Sequence, residues 1–155
     1  MKVKALFLMF AATMMFSLSA QAQHPNAIRK VRNVEMQDLN GKKTRLPWWG
    51  EKNLLIFYVD PEVPKQNHDF ITYIEETGRV KGPNIEGFGI VNLKDAVYPN
   101  SLVRKIADAR TAKNGATILC DPDHWLSSAW RLGDCDNCFV ILLVTKAGEL
   151  VYVHK

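Results

Sequence analysis

The 155-residue sequence contains no internal repeat and no low-complexity segment, which argues against a solenoid or a disordered chain. Its basic residues are scattered and form no long stripe, so a nucleic-acid partner is not indicated. After residue 22 the apolar runs are of strand length, such as residues 139–144, and none is long enough to span a bilayer. The composition therefore favours a globular domain that is free of the membrane once it is mature.

The N-terminus has the pattern of a secretory signal peptide. Lys2 and Lys4 precede an apolar run of about 14 residues that ends at Leu18. This run is shorter than the roughly 20 residues that a membrane-spanning helix needs. It closes on Ala20-Gln21-Ala22, whose small side chains are typical of a peptidase cleavage site. We predict a signal peptide over residues 1–22, a mature domain over residues 23–155 and a periplasmic location.

The basic character of the whole chain comes partly from this leader. Removing its two lysines from 20 basic residues leaves 18 against 16 acidic residues, a net charge of +2. Three cysteines, Cys120, Cys135 and Cys138, remain in a compartment that is expected to be oxidising. An odd number is most simply met by one disulfide and one free or buried thiol.

Hydrophobic periodicity predicts an alternation of strands and helices. Asn40-Gly41 is a strong hairpin turn, and residues 53–59 form a nearly continuous apolar run typical of a central strand covered on both faces. Gly78 and Gly115 mark helix ends. The predicted strands are 34–39, 43–46, 53–59, 87–93, 116–120, 139–144 and 149–153; the predicted helices are about 65–77, 101–114 and 123–130.

Several side chains on these elements are expected to be structural. The second helix is expected to be capped by Asn100 or Ser101 and to bury Leu102, Val103, Ile106 and Ala109. Asp123 is expected to cap the third helix, which Gly133 ends. The four tryptophans are expected to belong to the core and its edges: Trp48, Trp49, Trp125 and Trp130.

The order β-β-β-α-β-α-β-α-β-β implies an α/β fold with a mixed central sheet flanked by helices. It is the thioredoxin-like order with an added N-terminal β-hairpin, as in peroxiredoxin-type chains. One departure is that no helix is predicted after the last hairpin, so one sheet face is expected to be less covered.

Several segments of the sequence resemble the YtfJ family of small periplasmic thioredoxin-like proteins. The likeness lies in residues 90–96, in Asp121-Pro122-Asp123, in residues 129–132 and in the hairpin over residues 140–153. It covers most of the chain from about residue 34. The resemblance implies a thioredoxin-like fold and no settled activity.

The redox pair that a thioredoxin-like enzyme carries at the start of its first core helix is missing. There the helix N-terminus lowers a thiol pKa and makes the thiolate available. This chain reads Pro61-Glu62-Val63-Pro64-Lys65 at that place, so Glu62 and Lys65 replace the two cysteines. Glu62 is either a ligand-binding or acid/base carboxylate or a charge that complements the helix dipole; Lys65 and His68 are expected to be solvated.

A second C-x-x-C motif, Cys135-Asp136-Asn137-Cys138, lies just before the strand at Phe139. Three interpretations remain open. A structural disulfide could join Cys135 to Cys138, or either of them to Cys120. Thiol-disulfide exchange is opposed by Asp134 and Asp136, because nearby negative charge raises the pKa of the Cys135 thiol. A zinc or copper site would need further ligands, from Cys120, His124 or His154.

We therefore expect an exported thioredoxin-like binding or accessory protein that needs no cofactor. Its ligand, a protein or a small molecule, is expected at an edge formed by Glu62, Lys65, Asp134 and Asn137. The enzymatic alternative is a thiol-disulfide oxidoreductase that uses Cys135 and Cys138. The second alternative is a periplasmic zinc- or copper-binding protein.

Overall fold

The computed structural model describes residues 28–155, which form one mixed sheet with three helices. The predicted signal peptide lies outside the described residues and stays a prediction. Within the described part no helix has the length and apolarity needed to cross a membrane. The elements are β1 (Arg29–Lys30), β2 (Glu35–Gln37), β3 (Lys43–Arg45), β4 (Asn53–Val59), α1 (His68–Thr77), β5 (Ile85–Asn92), α2 (Asn100–Asn114), β6 (Ile118–Asp121), α3 (Trp125–Trp130), β7 (Phe139–Val144) and β8 (Glu149–His154).

The eight strands lie in the order β1-β8-β7-β4-β5-β6-β2-β3. The three central strands β4, β5 and β6 are parallel, whereas β7 is antiparallel to β4 and β8 is antiparallel to β7. The predicted hairpins at Asn40-Gly41 and at residues 145–148 are both present. The thioredoxin-like layout predicted from the element order is confirmed.

The two faces of the sheet are buried to different extents. On β4, Leu54, Ile56 and Tyr58 are at most 1% exposed and pack in the main core, whereas Leu55 and Phe57 on the opposite face are only partly buried. Residues alternate between faces along a strand, so on β4 the difference separates the two faces of the sheet. The second face is nevertheless covered in part, since Phe139 and Ile141 of β7 are buried there against Ile71 of α1. The prediction that β4 is covered on both faces is therefore confirmed for one face and holds in part for the other.

The well-buried face packs against α3. Trp130 on α3 is 1% exposed, and its indole Nε1 donates to the carbonyl of Arg32 at 2.9 Å. The guanidinium of Arg29 donates to the Trp130 carbonyl at 3.0 Å, which joins the short strand β1 to this core. The predicted structural role of the tryptophans is confirmed, since the other three pack against the same cluster: Trp48, Trp49 and Trp125.

Helix α1 begins at His68, three residues later than predicted. Residues 61–67 form consecutive turns, with Val63 N–H donating to the Asp60 carbonyl and Gln66 N–H donating to the Val63 carbonyl. Glu62 and Lys65 therefore lie on a turn segment before the helix. The dipole-complementing role proposed for Glu62 is wrong for this reason.

The caps of the other two helices also differ from the prediction. Helix α2 begins at Asn100 with Pro99 at its N-cap and no side-chain cap. Helix α3 begins at Trp125, where the carboxylate of Asp121 accepts its first two amides, and it ends at Trp130, ahead of Gly133.

The buried stripe of α2 also departs from the prediction. Val103 and Ala107 are buried, as an i,i+4 pair that faces the sheet, but Leu102 and Ile106 are 44% and 62% exposed. Ala109 is exposed as well. The error arose because the apolar residues of α2 extend beyond the strip that the sheet covers. Periodicity alone therefore did not show which side of the helix faces the sheet.

Candidate functional site

Three buried polar residues mark the carboxyl ends of the three parallel strands. Asp60 follows β4, Asn92 ends β5 and Asp121 ends β6, and each is 0% exposed. The carboxyl ends of neighbouring parallel strands meet at one edge of a sheet, which is where open α/β sheets bind ligands. The candidate site is built around this edge.

Asp60 joins the first strand end to the C-x-x-C loop. Its amide donates to the carbonyl of Cys138 at 3.0 Å, and its Oδ2 accepts the amide of Asn137 at 2.8 Å. Its other oxygen accepts the amide of Glu62 at 2.9 Å. One buried carboxylate thus fixes the turn before α1 and the loop before β7 at the same time.

A second set of hydrogen bonds fastens the same two segments. The amide of Phe139 donates to Gln66 Oε1 at 2.7 Å, and Asn67 Nδ2 approaches the Phe139 carbonyl at 3.4 Å. The structure therefore brings residues 61–67 and 134–139 together, which is the juxtaposition that the sequence predicted. That a ligand binds there is still a prediction.

Asp121 holds the third strand end and the start of α3. Its carboxylate accepts the amides of Trp125 at 2.7 Å and Leu126 at 2.9 Å, and the hydroxyl of Tyr58 donates to it at 3.2 Å. Burial, and after it the negative charge of Asp121, raises the pKa of Tyr58. Tyr58 therefore stays a neutral hydrogen-bond donor, and the network is structural.

Asn92 belongs to a separate polar group with Asp95 and His124. Asn92 Nδ2 donates to Asp95 Oδ2 at 2.6 Å, and His124 Nε2 lies 2.7 Å from the same oxygen. His124 has φ 57°, the left-handed region that non-glycine residues seldom adopt. The carboxylate of Asp95 fixes the orientation of the imidazole.

The four residues of the predicted ligand-binding edge lie around these hydrogen-bonded groups. Glu62 is half-buried, and its Oε1 accepts the amide of Val97 at 2.6 Å, so it bridges to the loop after β5. Lys65, Asp134 and Asn137 are exposed. The edge consequently presents one ammonium group, one carboxylate and one amide to solvent over a hydrogen-bonded base.

The C-x-x-C thiols are unequal. Cys135 is 3% exposed, and its Sγ lies 3.6 Å from the carbonyl of Gly133, whereas Cys138 is only partly buried. Burial is the main cause that raises the pKa of the Cys135 thiol to about 11, with a smaller contribution from Asp134. The predicted direction of the shift is confirmed, but its main cause is desolvation rather than the flanking carboxylates.

Cys120 lies on the opposite face of the sheet from Cys135. It is fully buried beside Val103 of α2, while the preceding residue Leu119 packs in the same core cluster as Cys135. Burial raises the pKa of the Cys120 thiol. Since neighbouring strand residues point to opposite faces, the geometry does not favour a bond between Cys120 and Cys135.

All three cysteines are free thiols in the structure. Among the described residues there is also no group of three or more His, Cys, Asp or Glu side chains placed to hold a metal ion. Cys135 and Cys138 therefore form no metal-binding group with the further ligands suggested from the sequence, Cys120, His124 and His154, and the zinc or copper alternative gains no support from the geometry.

The five residues whose hydrogen bonds hold the edge and the neighbouring strand ends were not predicted from the sequence: Asp60, Asn92, Asp95, Asp121 and His124. A signal for three of them was present, because a polar residue stands at the end of each predicted parallel strand. The pairing of Asp95 with His124 joins residues that are 29 positions apart, and nothing in the sequence indicates it.

The strand order, the crossover helices and the terminal hairpin define a thioredoxin-like fold. The exposed lipoprotein thioredoxin Etrx1 of Streptococcus pneumoniae is similar at a TM-score of 0.61 and 16% identity, over 79% of this chain and 88% of the other. A DsbF homologue of Corynebacterium diphtheriae is similar at a TM-score of 0.61 and 13% identity, over 81% and 76%.

A third similar structure is StoA of Bacillus subtilis, with a TM-score of 0.56 and 12% identity over 83% of this chain and 87% of the other. At these identities the likeness establishes the fold. No protein-family model matches the chain, and no curated protein matches it. The resemblance to the YtfJ family therefore stays a prediction.

Proposed function

We propose that this chain is an exported thioredoxin-like protein that binds a ligand at the edge formed by residues 61–65 and 134–138 and performs no thiol chemistry there. The observation that carries the proposal is the double attachment of Asp60 to Asn137 and Cys138. It supports a rigid edge that carries Glu62 and Lys65, and no cysteine, on the segment between β4 and α1.

The chemistry of the edge suits recognition by polar contacts. Lys65 supplies an exposed cation, and Asp134 and Asp136 supply exposed carboxylates on the opposite loop. Charges of both signs around a fixed backbone favour selection of a partner with complementary charges. The partner we propose is a protein segment or a small ligand of this polar kind.

Export is supported by the N-terminal pattern, and YtfJ membership by the segments that resemble that family. Two structural relatives are also described as surface or secreted proteins: the S. pneumoniae lipoprotein and a secreted thiol-disulfide isomerase of Corynebacterium glutamicum. A periplasmic location remains part of this proposal. Fractionation of cells that express the full chain, with N-terminal sequencing of the mature protein, tests the location and cleavage after Ala22.

The binding proposal is tested by a photo-crosslinking amino acid placed at Lys65 or Asp134 in the intact chain, expressed in its own host. We expect a discrete adduct from both positions. Lys113, which lies in the last turn of α2, is the matched control and should give none. Equal crosslinking from all three positions, or none from Lys65 and Asp134, would contradict the proposal.

The second candidate function is thiol-disulfide exchange led by Cys138. It is favoured by one observation, the partial exposure of Cys138 at the same edge as the buried Cys135. Reduction of insulin disulfides distinguishes the two candidates. We expect no turnover; rapid turnover that is lost in Cys138→Ser and in Cys135→Ser would establish the redox function in place of the proposed one.

A further inference from the structure

An apolar cleft of about 420 Å³ lies between α1 and α2 on the less buried face of the sheet. Its floor is formed by β4 and β5, and on this face β5 presents Gly87 and Gly89. The residues between and after them, Phe88 and Ile90, are 2% and 0% exposed on the other face. Val80 packs over Gly87, where an added Cβ would lie only 2.8 Å from its Cγ2, whereas an added Cβ at Gly89 would have no neighbour closer than 3.8 Å. The missing side chain at Gly89 thus leaves part of the space that the helices do not fill.

The volume and lining of this cleft suit a small apolar ligand. Small-molecule sites are typically about 300–1,000 Å³ and mostly apolar. The floor carries Phe57 and Val59, and the walls carry apolar side chains from both helices: Ile71 and Ile74 from α1, Val103 and Ala107 from α2. A long, narrow aliphatic chain running along the strands fits a cleft that two helices border.

One wall of the cleft is apolar yet open to water. Ile106 and Tyr98, which both line it, are 62% and 55% exposed. Leaving two such large side chains in water forgoes the free energy that their burial would provide. An aliphatic ligand in the cleft would cover part of this surface.

All the charged side chains that line the cleft lie at one of its two ends. They are Lys81, Arg110 and Glu75, two cations and one carboxylate. Arg110 Nη2 and Glu75 Oε1 are 2.8 Å apart, so one cation is paired across the helices and the net charge of this end is positive. The opposite end, at Pro61, Pro64 and Tyr98, carries no charged lining residue.

We infer that the cleft binds a free long-chain carboxylate, with its aliphatic tail over β4 and β5 and its carboxylate at the end formed by Lys81 and Arg110. The positive end selects an anionic head group, and the glycine floor accommodates the tail. The uncharged end of the cleft adjoins the edge at residues 61–65 and 134–138 through Pro61 and Pro64. The carboxylate end, at Lys81 and Arg110, lies at the opposite end of the cleft, so binding there does not depend on whether the edge binds a partner.

Calorimetric titration of the purified mature protein with decanoate and dodecanoate tests the inference. We expect one site, with affinity rising about fourfold for each added methylene because each buries further apolar surface. Dodecyltrimethylammonium has the same tail and the opposite charge and should bind at least tenfold more weakly. No binding of dodecanoate at millimolar concentration overturns the site, and equal binding of both head groups overturns the assigned carboxylate end.

Gly89→Val locates the ligand. A Cβ at Gly89 would lie 3.8 Å from Ile118 Cγ1 and 3.9 Å from the Phe57 carbonyl, which are ordinary contacts, so the fold should accept the side chain. The valine occupies the floor and should weaken dodecanoate binding at least tenfold. Gly82→Val, where a Cβ meets nothing within 4 Å, is the matched control and should bind as the parent does.

Two surface variants keep the test valid if Gly89→Val does not fold. Ile106→Ser removes an exposed apolar wall and should weaken dodecanoate several-fold. Lys81→Gln should weaken dodecanoate and leave dodecyltrimethylammonium unchanged or tighter. Parental affinity for dodecanoate in folded Gly89→Val, or in both surface variants, places the ligand elsewhere and overturns the inference.

Discussion

The Oδ2 atom of Asp60 accepts the backbone amide of Asn137 at 2.8 Å, although the two residues are 77 positions apart in the chain. Asn137 has φ 52°, so the loop reaches Asp60 in a left-handed conformation that a non-glycine residue seldom adopts. The hydrogen bond is charge-assisted and its acceptor is fully buried. This contact fixes the geometry of the candidate edge.

Asp60→Asn should therefore lower the free energy of unfolding by about 2–3 kcal/mol. The substitution removes the negative charge, and the NH₂ group of asparagine cannot accept a hydrogen bond from a backbone amide as a carboxylate oxygen does. Urea unfolding followed by tryptophan fluorescence measures this. Asp136→Asn, a change of the same kind at an exposed position of the same loop, should stay within about 0.5 kcal/mol of the parent. Equal effects of the two changes would show that the buried carboxylate contributes nothing particular.

The three thiols should react with maleimide in a fixed order when the protein is kept reduced. Cys138 is partly exposed and should be labelled in the native state, whereas Cys120 and Cys135 are buried and should be labelled only after denaturation. Peptide mapping by mass spectrometry gives the order. Protein isolated without reductant tests the disulfide predicted from the sequence: two cysteines that resist labelling in denaturant until reductant is added establish it.

Stability should fall as the pH rises from about 9 to about 11. The thiol of Cys135 has a pKa of about 11 in the folded chain against an ordinary value of 9.0, so in this window the unfolded chain loses a proton that the folded chain retains. The stabilisation is complete below pH 9 and is lost toward pH 11, and the two-unit difference in pKa corresponds to about 2–3 kcal/mol. Chemical denaturation across this range measures the slope, which should be shallower in Cys135→Ala; an identical slope contradicts the assignment.

Gly148 should not tolerate a side chain. Its φ is +75°, and a Cβ there would lie 3.3 Å from the Trp49 ring and 3.4 Å from the Val31 carbonyl. Gly148→Ala should cost about 1–2 kcal/mol from the backbone conformation, with the close contacts adding to it. Gly82→Ala has open space and no left-handed φ, so its thermal midpoint should match the parent. A neutral Gly148→Ala would mean that the β7–β8 turn readily changes conformation.

Local signals predicted most of the fold. Gly78 and Gly115 end the first two helices in left-handed conformations, as the sequence indicated, and apolar runs of strand length located every long strand. The errors fall where long-range contacts decide. Asp121 rather than Asp123 caps α3, and β1 exists only because it pairs with β8.

The candidate edge was predicted only in outline. The thioredoxin-like order placed residues 61–65 opposite the C-x-x-C loop, which follows from topology. The sequence did not show that Asp60 joins them, because a carboxylate before a proline is equally typical of an exposed turn. Burial of Cys135 was also hidden, since its neighbours in sequence, Asp134 and Asp136, are charged and exposed.

Helix α1 is attached to the sheet by little more than Ile71 and Ile74, its two buried residues, while Phe70 and Tyr73 are 42% and 46% exposed. Such an element should open on its own, without unfolding of the central strands. In native-state hydrogen exchange, the amides of α1 should therefore exchange early and independently of denaturant, ahead of those of β4 and β7. The chain would then visit a state in which the part of this face over β4 and β7 is uncovered, while α2 and the opposite core stay in place.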